Sequence, residues 1–164
     1  MSFSFSAHST AQRATLHRHL QEVLDRLLEK HDFRIEEGAR SAQRQQDLFD
    51  QKATQQRGFV NGVAQVFDHM IREDGTGWAA DIYPFINGRM INVRGVGIDP
   101  SDSAKFARFL GILEGLAFDY FRGVQAMTNE KWGLTLWYNW DRDEEILTDQ
   151  KFHDWPHVKL VRLG

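Results

Sequence analysis

The sequence predicts an α+β fold in which a small, mostly antiparallel sheet packs against helices. Three observations carry this. Apolar residues recur at helical spacing between residues 10 and 30 and again after Pro100. Short apolar or alternating runs, "DFRIEE", "AADIYPFI", "GLTLWYNW" and "PHVKLVRL", lie between and after them as strands would. No repeat, low-complexity tract or linker divides the 164 residues, so one domain over 1–164 is expected, long enough to bury a core.

The elements follow in order. Residues 10–30 place Leu16, Leu20, Val23, Leu24, Leu27 and Leu28 on one helical stripe, with Ser9 or Thr10 as the cap. "DFRIEE" reads as a short strand. "ARSAQRQQDLFDQK" is polar and favours helix, with Leu48 and Phe49 as its apolar anchors. "VAQVFDHMI" spaces Val63, Val66, Phe67 and Met70 as a short helix would. "AADIYPFI" is a strand expected to stop near Pro84, followed by the turn signal "NGR". Pro100, behind an Asp/Ser cap, opens a long helix carrying Phe106, Phe109, Leu110, Leu113, Leu116 and Tyr120, the main core helix. "GLTLWYNW" puts Leu134, Leu136, Tyr138 and Trp140 on one strand face, and "PHVKLVRL" makes the last strand.

Composition narrows the function classes. A net charge of −3 makes no electrostatic case for nucleic acid or anionic membranes as partners. The absence of cysteine removes disulfides and thiolate metal sites. No apolar run approaches the roughly 18 residues of a membrane span. "MSFSFSAHSTAQR" lacks the basic and apolar regions of a secretory signal.

Chemistry concentrates in three patches, "EEGARSAQRQ", "DGTGWAAD" and "FHDWPHVKL". In this order they resemble the VanY-like family of zinc D,D-carboxypeptidases and phage L-alanyl-D-glutamate endopeptidases. Glu37, Gly38, Arg40, Ser41 and Gln45 match the family's first motif. Gly77, Ala79 and Asp81 match the second, and Asp154 and His157 the third. The tryptophan-rich stretch before His157 is also similar to that of the phage enzymes. The resemblance covers roughly residues 10–160.

The resemblance implies a Hedgehog/D,D-peptidase-like fold without a separate cell-wall-binding domain. It implies one zinc ion held by three nitrogen or oxygen donors, with a position open for a water that attacks a peptide carbonyl. Asp81 and His157 would be two ligands, able to meet if their strands are neighbours. Asp154 would be the catalytic acid–base, taking the water's proton and passing it to the leaving amine. Arg40 would hold a carboxylate or the scissile carbonyl with its two-pronged fork, and Gln45 would orient that arginine or the substrate.

The first ligand departs from the pattern. The family's histidine maps to Asp74 and its serine to Arg72. An Asp74, Asp81, His157 set would be harder and more tolerant of manganese or magnesium. Alternatively His69 supplies the imidazole, twelve residues before Asp81 where the family leaves seven, which requires a five-residue insertion. A third reading binds no metal.

Plainer readings stand beside these. Asp-Gly is a strong turn dipeptide, so Asp74 also reads as a turn former. Arg40 near Glu36 and Glu37 also reads as an ion pair. His17 and His19 read as solvated residues on a helix's polar side, His153 as exposed, and "DRDEE" as a solvated loop. Trp132, Trp137 and Trp140 read as core or rim packing.

The expectation is therefore a monomeric, metal-dependent peptidoglycan peptidase of the phage endolysin type. It would cut the L-alanyl-D-glutamate bond of the stem peptide, be made in the host cytoplasm and act at the wall after release. The rivals are a D,D-carboxypeptidase with the same machinery, and an inactive wall-binding or virion component.

Overall fold

A computed structural model describes residues 3–54, 56–91, 99–136 and 156–164. The chain opens with α1 (Ala7–Ala14), α2 (Arg18–Leu28) and β1 (Phe33–Glu37), followed by α3 (Ala42–Asp50). A small hairpin, β2 (Phe59–Val60) and β3 (Val63–Ala64), comes next, then β4 (Ala79–Ile86) and β5 (Arg89–Met90). The long helix α4 (Pro100–Thr128) and strands β6 (Lys131–Leu136) and β7 (His157–Leu163) complete it. The main sheet has the order β1-β4-β7-β6, with β5 folded back on β4 and every pairing antiparallel. Among the described residues no helix is long and apolar enough to cross a membrane.

The core lies between one face of this sheet and the helices. Leu20, Val23, Leu24 and Leu27 of α2 and Phe106, Phe109, Leu110 and Leu113 of α4 meet Ile35, Ala80, Ile82, Val158 and Leu160 of the strands. Each fully buried side chain of this kind stabilises the fold by about 1.5–3 kcal/mol. Asp99 caps α4 and Pro100 occupies its first turn, where a missing N–H costs nothing.

Four sequence expectations change. The stripe from residue 10 to 30 is two helices. Thr15 O accepts from Gly77 N and His17 N donates to Gly77 O, so this stretch bonds to another segment instead of continuing the helix. In α3 the buried position is Gln45, while Leu48 and Phe49 are half-buried. The segment from Val63 to Met70 is not a helix. Asn61 and Gly62 take positive φ and close the β2–β3 hairpin, leaving Val63 and Val66 exposed. Finally, β4 runs through Pro84. Phe85 N donates to Asp32 O on the β1 side, so the Pro84 nitrogen faces the opposite side. There β7 has already ended, with Ile82 N on Pro156 O, and the neighbour is Ile91, whose N donates to Pro84 O without needing a donor from the proline. Tyr138, Trp140, Trp137, His153 and the "DRDEE" run lie outside the described residues.

Candidate metal centre

Strand alternation builds the centre. Ala80, Ile82, Val158 and Leu160 point into the core, so Ala79, Asp81, His157 and Lys159 project from the other face. Asp81 and His157 are direct partners across the β4–β7 ladder, with Asp81 Oδ1 3.4 Å from His157 Nδ1. Both are buried, at 4% and 5% exposure. Carboxylates and imidazoles are seldom buried without partners, so their burial here marks a built site.

The connection from β3 to β4 crosses this face and brings His69 into the same place. His69 Nε2 lies 3.1 Å from Asp81 Oδ1 and 3.0 Å from His157 Nδ1. The donor atoms of His69, Asp81 and His157 all fall within 4.8 Å of one another, a buried group able to hold a metal ion. The crossing segment is pinned. Arg40 N donates to His69 O at 2.6 Å, and Ile71 N donates to Arg40 O. On its far side Gly77 lies against Ala39, where a Cβ would come within 2.6 Å of the Ala39 Cβ.

The other ring nitrogens differ in their surroundings. His69 Nδ1 is 2.9 Å from Gly38 O, and a carbonyl only accepts, so Nδ1 carries the proton and Nε2 turns a lone pair inward. His157 Nε2 lies 3.4 Å from Asp68 Oδ2, whose other oxygen is 2.6 Å from Lys159 Nζ. The close approach of His157, opposed by burial and joined by the Lys159 ammonium, holds the Asp68 carboxyl far below its usual range.

Arg40 stands beside the cluster on the turn after β1. Its Nε donates to Glu37 Oε1 at 3.0 Å, and a second guanidinium nitrogen donates to Glu37 Oε2. Nη1 donates to Gln45 Oε1 at 2.6 Å. Gln45, 1% exposed, donates in turn to Gln56 O at 2.7 Å. Glu37 is the register partner of Asp81 on β4, so the arginine and the cluster share one end of the sheet.

Asp74 is elsewhere. Its Oδ1 accepts from Thr76 N and Thr76 Oγ1, and its Oδ2 accepts from Trp78 Nε1 at 2.9 Å. Partial burial works against its ionised form, yet the bonds from Trp78 and Thr76 hold its carboxyl below the ordinary range. Asp74 organises a turn, and of the two alternatives it is His69 that stands with Asp81 and His157. Asp154 lies outside the described residues. His17 and His19 are not solvated: His19 is 4% exposed, with Nδ1 2.7 Å from Tyr120 Oη, and His17 packs against Trp78 and Trp132. Trp132 packs in the core.

Sequence reasoning missed Asp68 and Lys159 within the site, whereas the ion-pair reading of Arg40 is met by Glu37. Lys159 carried a signal, since it shares a strand face with His157 two residues earlier. Asp68 carried one only through its neighbour His69.

Comparisons with known proteins bear on the family and the fold. The sequence profile of the phage L-alanyl-D-glutamate peptidase family matches residues 1–161. No curated protein sequence matches. Among solved structures, the fold is similar to that of the Serratia marcescens L-Ala D-Glu endopeptidase ChiX. The TM-score is 0.55 at 17% identity, covering 98% of this chain and 91% of that one.

Proposed function

The chain belongs to the phage L-alanyl-D-glutamate peptidase family, and from that premise we propose that it is a zinc-dependent peptidoglycan endopeptidase cutting the L-alanyl-D-glutamate bond of the stem peptide. One observation supports the metal most directly. His69 is locked by Gly38 O with its Nε2 lone pair turned inward, toward Asp81 Oδ1 and His157 Nδ1. These three donor atoms converge at 3.0–3.4 Å in a buried place, where one cation would be attracted to all of them at once. Two imidazoles and one carboxylate suit zinc, and they relieve the harder two-carboxylate set that Asp74 would have made.

His69, Asp81 and His157 would hold one zinc ion. When bound, zinc supplies Lewis acidity to a water and to the scissile carbonyl. The protein's own groups do the rest. Arg40, clamped by Glu37 and Gln45, keeps guanidinium donors to spare and binds a substrate carboxylate or carbonyl in a fixed plane. Gln45 positions that arginine from a buried seat. Asp154, three residues before His157, takes a proton from the attacking water and returns it to the departing D-glutamyl amine.

The test is digestion of purified peptidoglycan stem peptide followed by mass spectrometry. Products ending in L-alanine and beginning with D-glutamate support the proposal, provided that a chelator stops the reaction and zinc restores it. Release of terminal D-alanine instead would assign the D,D-carboxypeptidase activity. Zinc-replete protein that retains peptidoglycan without cleaving it would assign a binding role.

A further inference from the structure

The β2–β3 hairpin contributes nothing to the core, yet it carries an apolar surface. Of the eight large apolar side chains exposed among the described residues, four lie on the twelve residues from 60 to 71. They are Val60 at 44%, Val63 at 64%, Val66 at 63% and Ile71 at 49%. Apolar side chains exposed singly need no account, but a cluster of them marks a contact surface. We propose that the hairpin is a substrate-binding arm, on which Val60 and Val63 pack against the uncharged L-alanine side of the stem peptide. This deepens the endopeptidase reading above and rests on it.

Strand geometry separates the two faces of the hairpin. Val60 and Val63 are direct partners, so their side chains share one face, and Phe59 and Ala64 share the other. Phe59 is half-buried and its N donates to Gln46 Oε1 of α3 at 3.4 Å, so the valine face is the one left open. A two-stranded hairpin is marginal by itself in water, and this one is held at its base. Gly58 packs so closely on α3 that a Cβ there would lie 2.0 Å from Ala42 O. Gln45, which accepts from Arg40, donates to Gln56 O at 2.7 Å, just before the hairpin begins. At the other end the chain leaves β3 and reaches His69 within a few residues. The arm is therefore hung between the substrate-binding arginine and a member of the centre.

Charge selects the occupant. From Phe59 to Val66 the arm carries no ionisable side chain. An anionic wall polymer or a lipid headgroup would call for cations there. The stem peptide is itself divided at the bond to be cut. Its D-glutamyl side carries a free carboxylate, which suits the Arg40 guanidinium. Its other side is an L-alanine acylated by the lactyl group of the sugar, with two methyl groups and no charge. Those methyls suit the valine face, because packing the two together removes apolar surface of both from water.

The test is kinetic, on the full chain with zinc present. It uses a soluble stem peptide bearing the lactyl group, and an analogue in which glycine replaces the L-alanine. Val60→Thr with Val63→Thr exchanges one methyl of each side chain for a hydroxyl and keeps the β-branching that suits a strand. KM for the alanine peptide should rise about tenfold, the worth of one to two buried methyl groups. Zinc content and melting temperature should match those of the parent. The glycine analogue should also be poorer for the parent, and the two losses should not add, because both remove the same contact. A KM within twofold of the parent overturns the inference, as do losses that combine independently. A parent that sediments as a dimer while the threonine variant is a monomer overturns it too, and gives the face to a second copy. If the parent cuts neither peptide, the endopeptidase reading fails, and calorimetric titration with the intact stem peptide decides the arm separately. Binding weakened about tenfold in the threonine variant upholds the arm, and equal binding overturns it.

Discussion

Asp81 and His157 face each other across the β4–β7 ladder, with side-chain atoms 3.4 Å apart on the side of the sheet away from the core. Because the core packs on the opposite face, removing either should empty the centre without unfolding the protein. Elemental analysis should find about one zinc per chain in the parent and almost none in Asp81→Ala or His157→Ala. A chelator should lower the melting temperature of the parent and leave those of the variants unmoved, because only a bound ligand contributes by mass action. Equal chelator effects in all three would remove these residues from the site.

Asp74 and His69 should separate cleanly. His69→Ala should lose metal as Asp81→Ala does. Asp74→Ala should keep its zinc and instead lose about 1 kcal/mol of stability, since the Thr76 and Trp78 bonds go with it. Loss of metal in Asp74→Ala under chemical denaturation and metal analysis would contradict the turn-forming role.

The Arg40 clamp predicts a split between binding geometry and charge. Arg40→Lys keeps the charge but loses the fork, and kcat/KM should fall about 10–100-fold, the worth of a charge-assisted hydrogen bond. Gln45→Ala should also cost about 1–3 kcal/mol of folding stability, because it removes a buried side chain hydrogen-bonded to both Arg40 and Gln56 O. Steady-state kinetics together with urea unfolding distinguish the two variants.

Acid should destabilise the protein through His17 and His19. Burial, most of all, lowers both from the ordinary value of 6.5, with the neighbouring Arg18 charge adding to it. The unfolded chain therefore binds protons first as pH falls, so this contribution is complete above about 6.5 and is lost progressively below it. Melting temperatures at pH 7.5 and 5.5 should differ less in a His17→Asn, His19→Gln variant than in the parent. An undiminished difference would place the acid sensitivity elsewhere.

Gly77 should tolerate no side chain. A Cβ there would lie 2.6 Å from the Ala39 Cβ and 2.7 Å from the Ala39 Cα, and backbone cannot step aside as a flexible side-chain end can. Gly77→Ala should cost about 1–3 kcal/mol by overpacking, read from the denaturation midpoint. A neutral result would mean that the crossing segment has freedom to shift.

Much of this was legible along the chain because it is local or periodic. The leucine stripe of α2, the Asp99-Pro100 start of α4 and the alternation of β7 each follow from the spacing of apolar residues and the chemistry of one or two caps. Strand alternation also put Asp81 and His157 on the ends of strands that could meet. Arg40 and Gln45, five residues apart, proved to be hydrogen-bonded to each other as well as matched to a motif. Period and propensity alone misread Val63–Met70, where a hairpin turn at Asn61-Gly62 overrode a helical spacing.

By itself, then, the sequence determined the fold class, the polar residues of the three motifs and the strands that carry two members of the centre. Which third residue joins them was decided by tertiary structure. Asp74 has the motif position, but its carboxylate is consumed by Thr76 and Trp78, contacts only four residues or fewer away. His69 lies outside the motif spacing, yet Arg40 and Gly38 fasten its backbone and ring against the sheet. Linear spacing measures distance along the chain. A crossing segment can lengthen by several residues and still deliver a side chain to the same point, provided that its ends are held by hydrogen bonds to strands that do not move.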